Sequence, residues 1–72
     1  MKYMLADNLK QFKEINNLSL RETAKRLKVS HVVLLRLINK KRTKAKLEVI
    51  CRLAEGLNVE LDDLLFTNIY SN

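Results

Sequence analysis

The sequence predicts an all-α fold, a compact arrangement of five helices. Of the 72 residues, 47% are hydrophobic, none is proline and one is glycine, so few residues would interrupt a helix. Apolar residues recur at the three- and four-residue spacing of an amphipathic helix, as at Leu5, Leu9 and Phe12. Few β-branched runs alternate with polar residues as a half-buried strand would. A chain of this length forms one domain. It is near the lower limit of size at which a single hydrophobic core is stable without disulfides or a bound metal.

The first two helices have recognisable ends. The first is predicted over roughly residues 3–16, and Asn17 suits the left-handed conformation that closes a helix. Ser19 and Glu22 have the spacing of a capping box, in which each side chain bonds the other residue's backbone N–H. A second helix is therefore predicted over about residues 20–27. Its apolar side consists of Leu20, Ala24 and Leu27.

A third helix is predicted after a short break. Ser30 can cap it, Val29 can pack back onto Leu34, and the apolar pattern continues to about Asn39. At about 100° per residue, Leu34 and Leu37 point inward. The opposite, outward arc contains His31, Val32, Leu35, Arg36 and Asn39.

The C-terminal part is predicted to add two helices. The fourth covers roughly residues 46–56, with Asn58 as its left-handed closing residue, and residues 59–66 form a short fifth helix with acids in its first turn. The inward residues of the fourth helix are expected to be Leu47, Ile50, Leu53, Ala54 and Leu57. The domain is assigned to residues 1–66, and residues 67–72 are a tail expected to dock on it or to form a dimer contact.

Positive charge is concentrated in the middle of the chain. The net charge is +6, but residues 21–46 carry ten Lys/Arg against one acid, whereas residues 47–72 carry one Arg against five acids. Such a basic segment is typical of a polyanion partner, nucleic acid first and an anionic membrane surface second. Charge retained only for solubility is the simpler alternative.

Several other classes of function are not supported. No apolar run reaches the length of a membrane span, and the first ten residues, MKYMLADNLK, lack the apolar stretch expected of a secretory signal. The lone cysteine, Cys51, excludes an internal disulfide framework and fits a reducing, cytoplasmic location. His31 has no partner at metal-ligand spacing, and Asp62 and Asp63 diverge as neighbours on a helix. With no Gly-rich phosphate loop and no nucleophile–base set, we expect no enzyme activity, no cofactor and no metal, and no small-molecule ligand is evident from the sequence.

Two segments carry a family resemblance over about residues 5–66. The segment "LSLRETAKRLKVSHVVLLRLINKKR" resembles the helix-turn-helix of phage repressors and Cro proteins, the lambda-repressor-like (XRE-like) family, and "LEVICRLAEGLNVELDDLL" resembles the last two helices of that domain. The chain departs from the pattern where Lys28 and Lys40 replace glycine, Leu20 replaces glutamine and Thr23 replaces an apolar residue. The matching positions are Ser19, Glu22, Ala24, Leu27, Val29, Ser30, Leu34, Arg36, Leu37 and Asn39.

The resemblance implies a sequence-specific, double-stranded DNA-binding transcriptional repressor of a bacterium or phage. Its helix-turn-helix would be formed by helices 2 and 3, with helix 3 in the major groove. We expect base contacts from His31, Val32, Leu35 and Arg36. Phosphate contacts are expected from Arg21, Asn39, Lys41, Arg42 and Lys44. A homodimer on a pseudo-palindromic operator is expected, with contacts from Phe66, Ile69 and Tyr70.

Two apolar residues in the outward arc, Val32 and Leu35, leave alternatives open. They can contact thymine methyl groups, they can be covered by a protein, or their exposure can be incidental. The corresponding alternative function is a protein-interaction module of the antitoxin or antirepressor type, with a patch formed by Leu20, Val32 and Leu35.

Overall fold

The computed structural model describes residues 3–39 and 45–70, and within these ranges the chain forms five helices and no strands. The helices are α1 (Leu5–Ile15), α2 (Leu20–Leu27), α3 (His31–Ile38), α4 (Leu47–Leu57) and α5 (Leu61–Phe66). The predicted all-α class is confirmed, and the helix ends lie within two residues of those expected. None of the described helices combines the length and apolarity needed to cross a membrane.

The core is built from leucines that every helix supplies. Packing joins α3 to both α1 and α2, while α4 packs on α2 and α5, and α5 also packs on α1. Burying a leucine contributes about 1.5–3 kcal/mol, so this set is the main source of stability. The fully buried leucines are Leu5, Leu9, Leu27, Leu34, Leu53 and Leu64.

The helix ends follow the predicted local chemistry. The Ser19 backbone N–H donates to Glu22 Oε1 at 3.0 Å and the Glu22 N–H donates to Ser19 Oγ at 3.1 Å, which completes the capping box. Asn17 and Asn58 adopt φ of 52° and 59°, the left-handed conformation that asparagine tolerates well. Ser30 Oγ accepts the Val32 N–H at 3.2 Å. The prediction of these caps is confirmed.

The expectation that Leu47 faces the core is wrong. Its side chain is 69% exposed, although it shares a helix face with the buried Ala54, seven residues later. Leu47 is the first residue of α4, whereas Arg52 and Gly56, which contact the end of α2, lie in the second half of the helix. Helical periodicity gives the direction of a side chain but does not show where along the helix its neighbours end.

A buried asparagine, which the sequence analysis did not single out, ties the C-terminal segment to α1. The side chain of Asn8 is completely buried. Its Nδ2 donates to the carbonyls of Leu64 and Thr67, both at 2.8 Å, and its Oδ1 accepts the Ile69 N–H at 3.3 Å. Tyr70 also packs against the core. The Asn8 amide, by satisfying these three backbone groups, therefore helps to hold the segment after α5 against α1.

The turn between α2 and α3 contains a non-glycine residue in the left-handed conformation. Lys28 closes α2 with φ 60° and ψ 41°, and the following Val29 N–H donates to the Ala24 carbonyl at 3.0 Å. Lys28 therefore adopts the left-handed conformation itself, although the pattern described in the sequence analysis has glycine at this position. An L-residue in this conformation costs about 1–2 kcal/mol.

Replacing Asn8 by alanine should lower the free energy of unfolding by about 2–3 kcal/mol, because buried carbonyls lose their donor. Chemical denaturation measures this change. Gln11→Ala is the matched control, since the Gln11 amide makes an exposed hydrogen bond to Asn68 at 3.3 Å and its loss should cost less than about 0.5 kcal/mol. Equal effects of the two substitutions would contradict the role given to Asn8.

Replacing Lys28 by glycine should raise the free energy of unfolding by about 0.5–1 kcal/mol. The relief of the left-handed strain exceeds the extra freedom that glycine has in the unfolded chain. Lys25→Gly, three residues earlier inside α2, should instead destabilise the protein by about 1 kcal/mol. Thermal unfolding of both variants checks the opposite signs; a loss of stability in both would show that the turn is not strained.

Candidate nucleic-acid interface

Helix α3 divides into a buried side and an exposed side. Leu34 and Leu37 are 0% and 3% exposed, whereas Val32 and Leu35 are 44% and 41% exposed. The predicted outward arc is confirmed as a surface, which we call the α3 outer face. Its five residues, all exposed, are His31, Val32, Leu35, Arg36 and Asn39.

The α3 outer face is held in place by packing on the opposite side of α3 and by a cap at the N-terminal end of the helix. Both α1 and α2 pack against α3, and the link from α2 consists only of residues 28–30. Ser30 fixes the first turn through its bond to the Val32 N–H, while Val29 packs against the core. Short connections and buried leucines leave α3 little freedom to rotate, so the exposed residues keep a fixed arrangement.

The start of α2 places Arg21 on the surface beside an ionised acid. Arg21 is exposed in the first turn. Bonds to the Ser19 backbone N–H and to its hydroxyl lower the pKa of Glu22, because these donors stabilise the charged carboxylate. The capping box thus uses donors that a helix N-terminus would otherwise offer to an anion. A phosphate contact at this point would depend on the Arg21 guanidinium more than on the helix end.

Three of the residues expected to contact phosphates, Lys41, Arg42 and Lys44, lie outside the described residues. Asn39, at the end of α3, is exposed. Beyond the gap, Lys46 is exposed at the N-cap of α4, where its side chain makes no cap hydrogen bond. The basic residues are densest in residues 40–44, and the described cations on either side of that segment are Arg36 and Lys46.

The described residues contain no group of three or more His, Cys, Asp or Glu side chains placed to hold a metal ion. His31 lies on the α3 outer face, and Cys51 is half-buried on α4. The apolar patch considered in the sequence analysis is only partly exposed: Leu20 is half-buried and packs against the core, which leaves Val32 and Leu35 as its exposed members.

Comparison with known proteins agrees with this geometry. A model of the helix-turn-helix family matches residues 9–64, a range that includes α2, α3 and α4 in full and most of α1 and α5. No curated protein and no solved structure gives a significant match. The chain belongs to the lambda-repressor-like (XRE-like) helix-turn-helix family and is a DNA-binding regulatory domain.

Proposed function

We propose that this protein is a sequence-specific transcriptional repressor that inserts α3 into the major groove of its operator. The observation that carries the proposal is the α3 outer face, where five neighbouring side chains are exposed on a helix whose other side is locked in the core. An α-helix with its side chains is about 10–12 Å across, and the major groove is about 12 Å wide. Occupying the operator would exclude the transcription machinery.

Each member of the α3 outer face has a chemical role in this proposal. The guanidinium of Arg36 matches the O6 and N7 acceptors of guanine. His31, in the first turn of α3, is assigned to a base edge near the helix start. Val32 and Leu35 are assigned to thymine, whose C5-methyl is the apolar group exposed in the major groove. Their exposure supports this assignment because an apolar base feature needs an accessible apolar side chain.

The phosphate contacts are assigned to residues on both sides of α3. Arg21 at the start of α2 and Asn39 at the end of α3 would fix the helix in the groove. The three basic residues Lys41, Arg42 and Lys44 would neutralise the backbone beyond it. Each phosphate neutralised contributes about −0.9 to the slope of log affinity against log salt concentration.

A two-fold dimer is proposed because one short helix covers few base pairs. Of the three residues assigned to the contact, Ile69 and Tyr70 are half-buried, and Tyr70 packs against the core of its own chain. Phe66 is 43% exposed and lies edge-on to Tyr3, with ring centroids 6.0 Å apart. Phe66 is therefore the strongest candidate of the three for a contact between protomers.

A protein-interaction module on the same scaffold is the second candidate function. The exposure of Val32 and Leu35 favours it, but the burial of Leu20 leaves only a small apolar patch. The two functions differ in their response to salt. An apolar protein contact depends weakly on salt, whereas DNA binding through several phosphates weakens steeply.

Selection of bound duplexes from a random DNA pool would supply the operator for a variant test. Arg36→Ala should lower affinity for the operator by about 1–3 kcal/mol and relax the preference at one base pair. Lys10→Ala, which removes the same charge from an exposed site on α1, should change affinity little. Equal losses for the two variants on operator and scrambled duplex, in fluorescence anisotropy titrations, would refute base recognition by Arg36.

Replacing thymine by uracil in the operator tests the role of Val32 and Leu35. Removal of a contacted methyl group should weaken wild-type binding by about 0.8 kcal/mol, or roughly fourfold. Val32→Ala or Leu35→Ala should remove most of that sensitivity at one thymine, because the methyl has lost its partner. If the wild-type protein binds the thymine and uracil duplexes equally at every position tested, Val32 and Leu35 do not contact thymine. That result would favour the alternative in which a partner protein covers these two side chains.

A further inference from the structure

A pocket with basic walls lies on the side of α2 that faces α4. It has a volume of about 240 Å³ and opens to solvent. We call it the α2–α4 pocket. Its lining residues are Arg26, Leu27, Lys28, Arg52, Glu55 and Gly56.

The close approach of two helices forms the floor of the pocket. A Cβ atom added to Gly56 would overlap Leu27 Cδ2, and Leu27 is 1% exposed, so it has little room to move away. The chain's only glycine therefore lets α4 lie directly against the last turn of α2. A larger residue at this position would fill the floor or push the helices apart.

One basic wall is held in place before any ligand arrives. Arg52 Nη1 donates to the Lys28 carbonyl at 3.3 Å, and Arg52 Nη2 pairs with Glu48 Oε1 at 2.8 Å. The side chain is nevertheless 50% exposed, so the guanidinium is fixed in orientation and still accessible. Fixing a guanidinium in advance lowers the entropy lost when it binds an oxyanion.

The adjoining wall contains Lys28, whose backbone conformation is strained. Lys28 keeps the left-handed conformation, with φ 60°, where glycine would cost less. Strained positions are often associated with functional sites. The ammonium group of Lys28 joins the guanidinium groups of Arg26 and Arg52 in the lining, which also contains the carboxylate of Glu55. Arg52 is paired with a second carboxylate, that of Glu48, which lies outside the lining.

The composition of the pocket indicates the chemistry of its ligand. Guanidinium and ammonium groups favour the oxygens of a phosphate. A carboxylate such as that of Glu55 accepts hydrogen bonds, which hydroxyl groups on the ligand can donate. The volume lies below the range of about 300–1,000 Å³ usual for drug-sized ligands. A small phosphorylated molecule fits these properties.

The pocket and the α3 outer face have no residue in common. None of its lining residues belongs to α3. It adjoins the turn that connects α2 to α3, since Lys28 is the C-cap of α2 and Ser30 is the N-cap of α3. We propose that the α2–α4 pocket is a binding site for the phosphate group of a small anionic molecule, formed by Arg26, Lys28 and Arg52.

A titration with inorganic phosphate tests this site without DNA, so its outcome is independent of the proposed function. Amide resonances of the full chain are followed by two-dimensional NMR at constant ionic strength, with chloride as the control anion. We expect saturable shifts at Arg52 and Gly56 with phosphate and not with chloride. Lys28→Gly should weaken phosphate binding about fivefold, the equivalent of a contact of about 1 kcal/mol.

Two features of the variants make this test decisive. Lys28→Gly is expected to be more stable than the wild type, so a loss of binding cannot come from unfolding. Lys25→Ala removes a neighbouring exposed charge of α2 that does not line the pocket, and it should leave phosphate affinity unchanged.

Three results would overturn the proposal. The first is a set of shifts that are linear in phosphate or equally large with chloride. The second is equal phosphate affinity in wild type and Lys28→Gly. The third is that Lys28→Gly retains phosphate binding but binds all duplexes more weakly, with a salt slope smaller by about one; the pocket would then be part of the DNA backbone surface.

Discussion

The structure depends on the burial of Leu34 and Leu37, which join α3 to the hydrophobic core. These two side chains are 0% and 3% exposed, and rotating α3 about its axis would expose them to water at a cost of about 1.5–3 kcal/mol each. The opposite side of α3 is therefore fixed as a surface. Because two such leucines lie on a helix of only eight residues, the same interaction that stabilises the fold also presents the residues proposed to contact bases.

Much of this arrangement can be predicted from the sequence, for local reasons. The caps at Ser19 and Ser30 depend on residues within three positions, and the two faces of α3 follow from helical periodicity. Leu47 and Asn8 could not be predicted in this way, because their environment is set by residues far away in the chain. Asn8 bonds to groups more than 50 positions later, and nothing in the neighbouring sequence indicates that contact.

The candidate nucleic-acid interface, like the fold, could be predicted in part from the sequence. Sequence patterning identified the exposed arc of α3, and the concentration of charge pointed to a polyanion, but neither could divide the cations between surfaces. The structure associates Arg26, Lys28 and Arg52 with a pocket beside α4, although Arg52 lies outside the basic segment. Arg52 therefore extends the positive charge beyond the segment identified from the sequence.

The most direct test of the account is to map the surface that an operator duplex contacts. In amide NMR spectra of the full chain, adding the selected duplex should perturb α3 residues such as Val32, Leu35 and Arg36 most strongly, with little change along α5 from Leu61 to Phe66. The outward side of α3 is the surface proposed to enter the groove. Strong perturbation of α5 with an unaffected α3, on the same duplex, would contradict it.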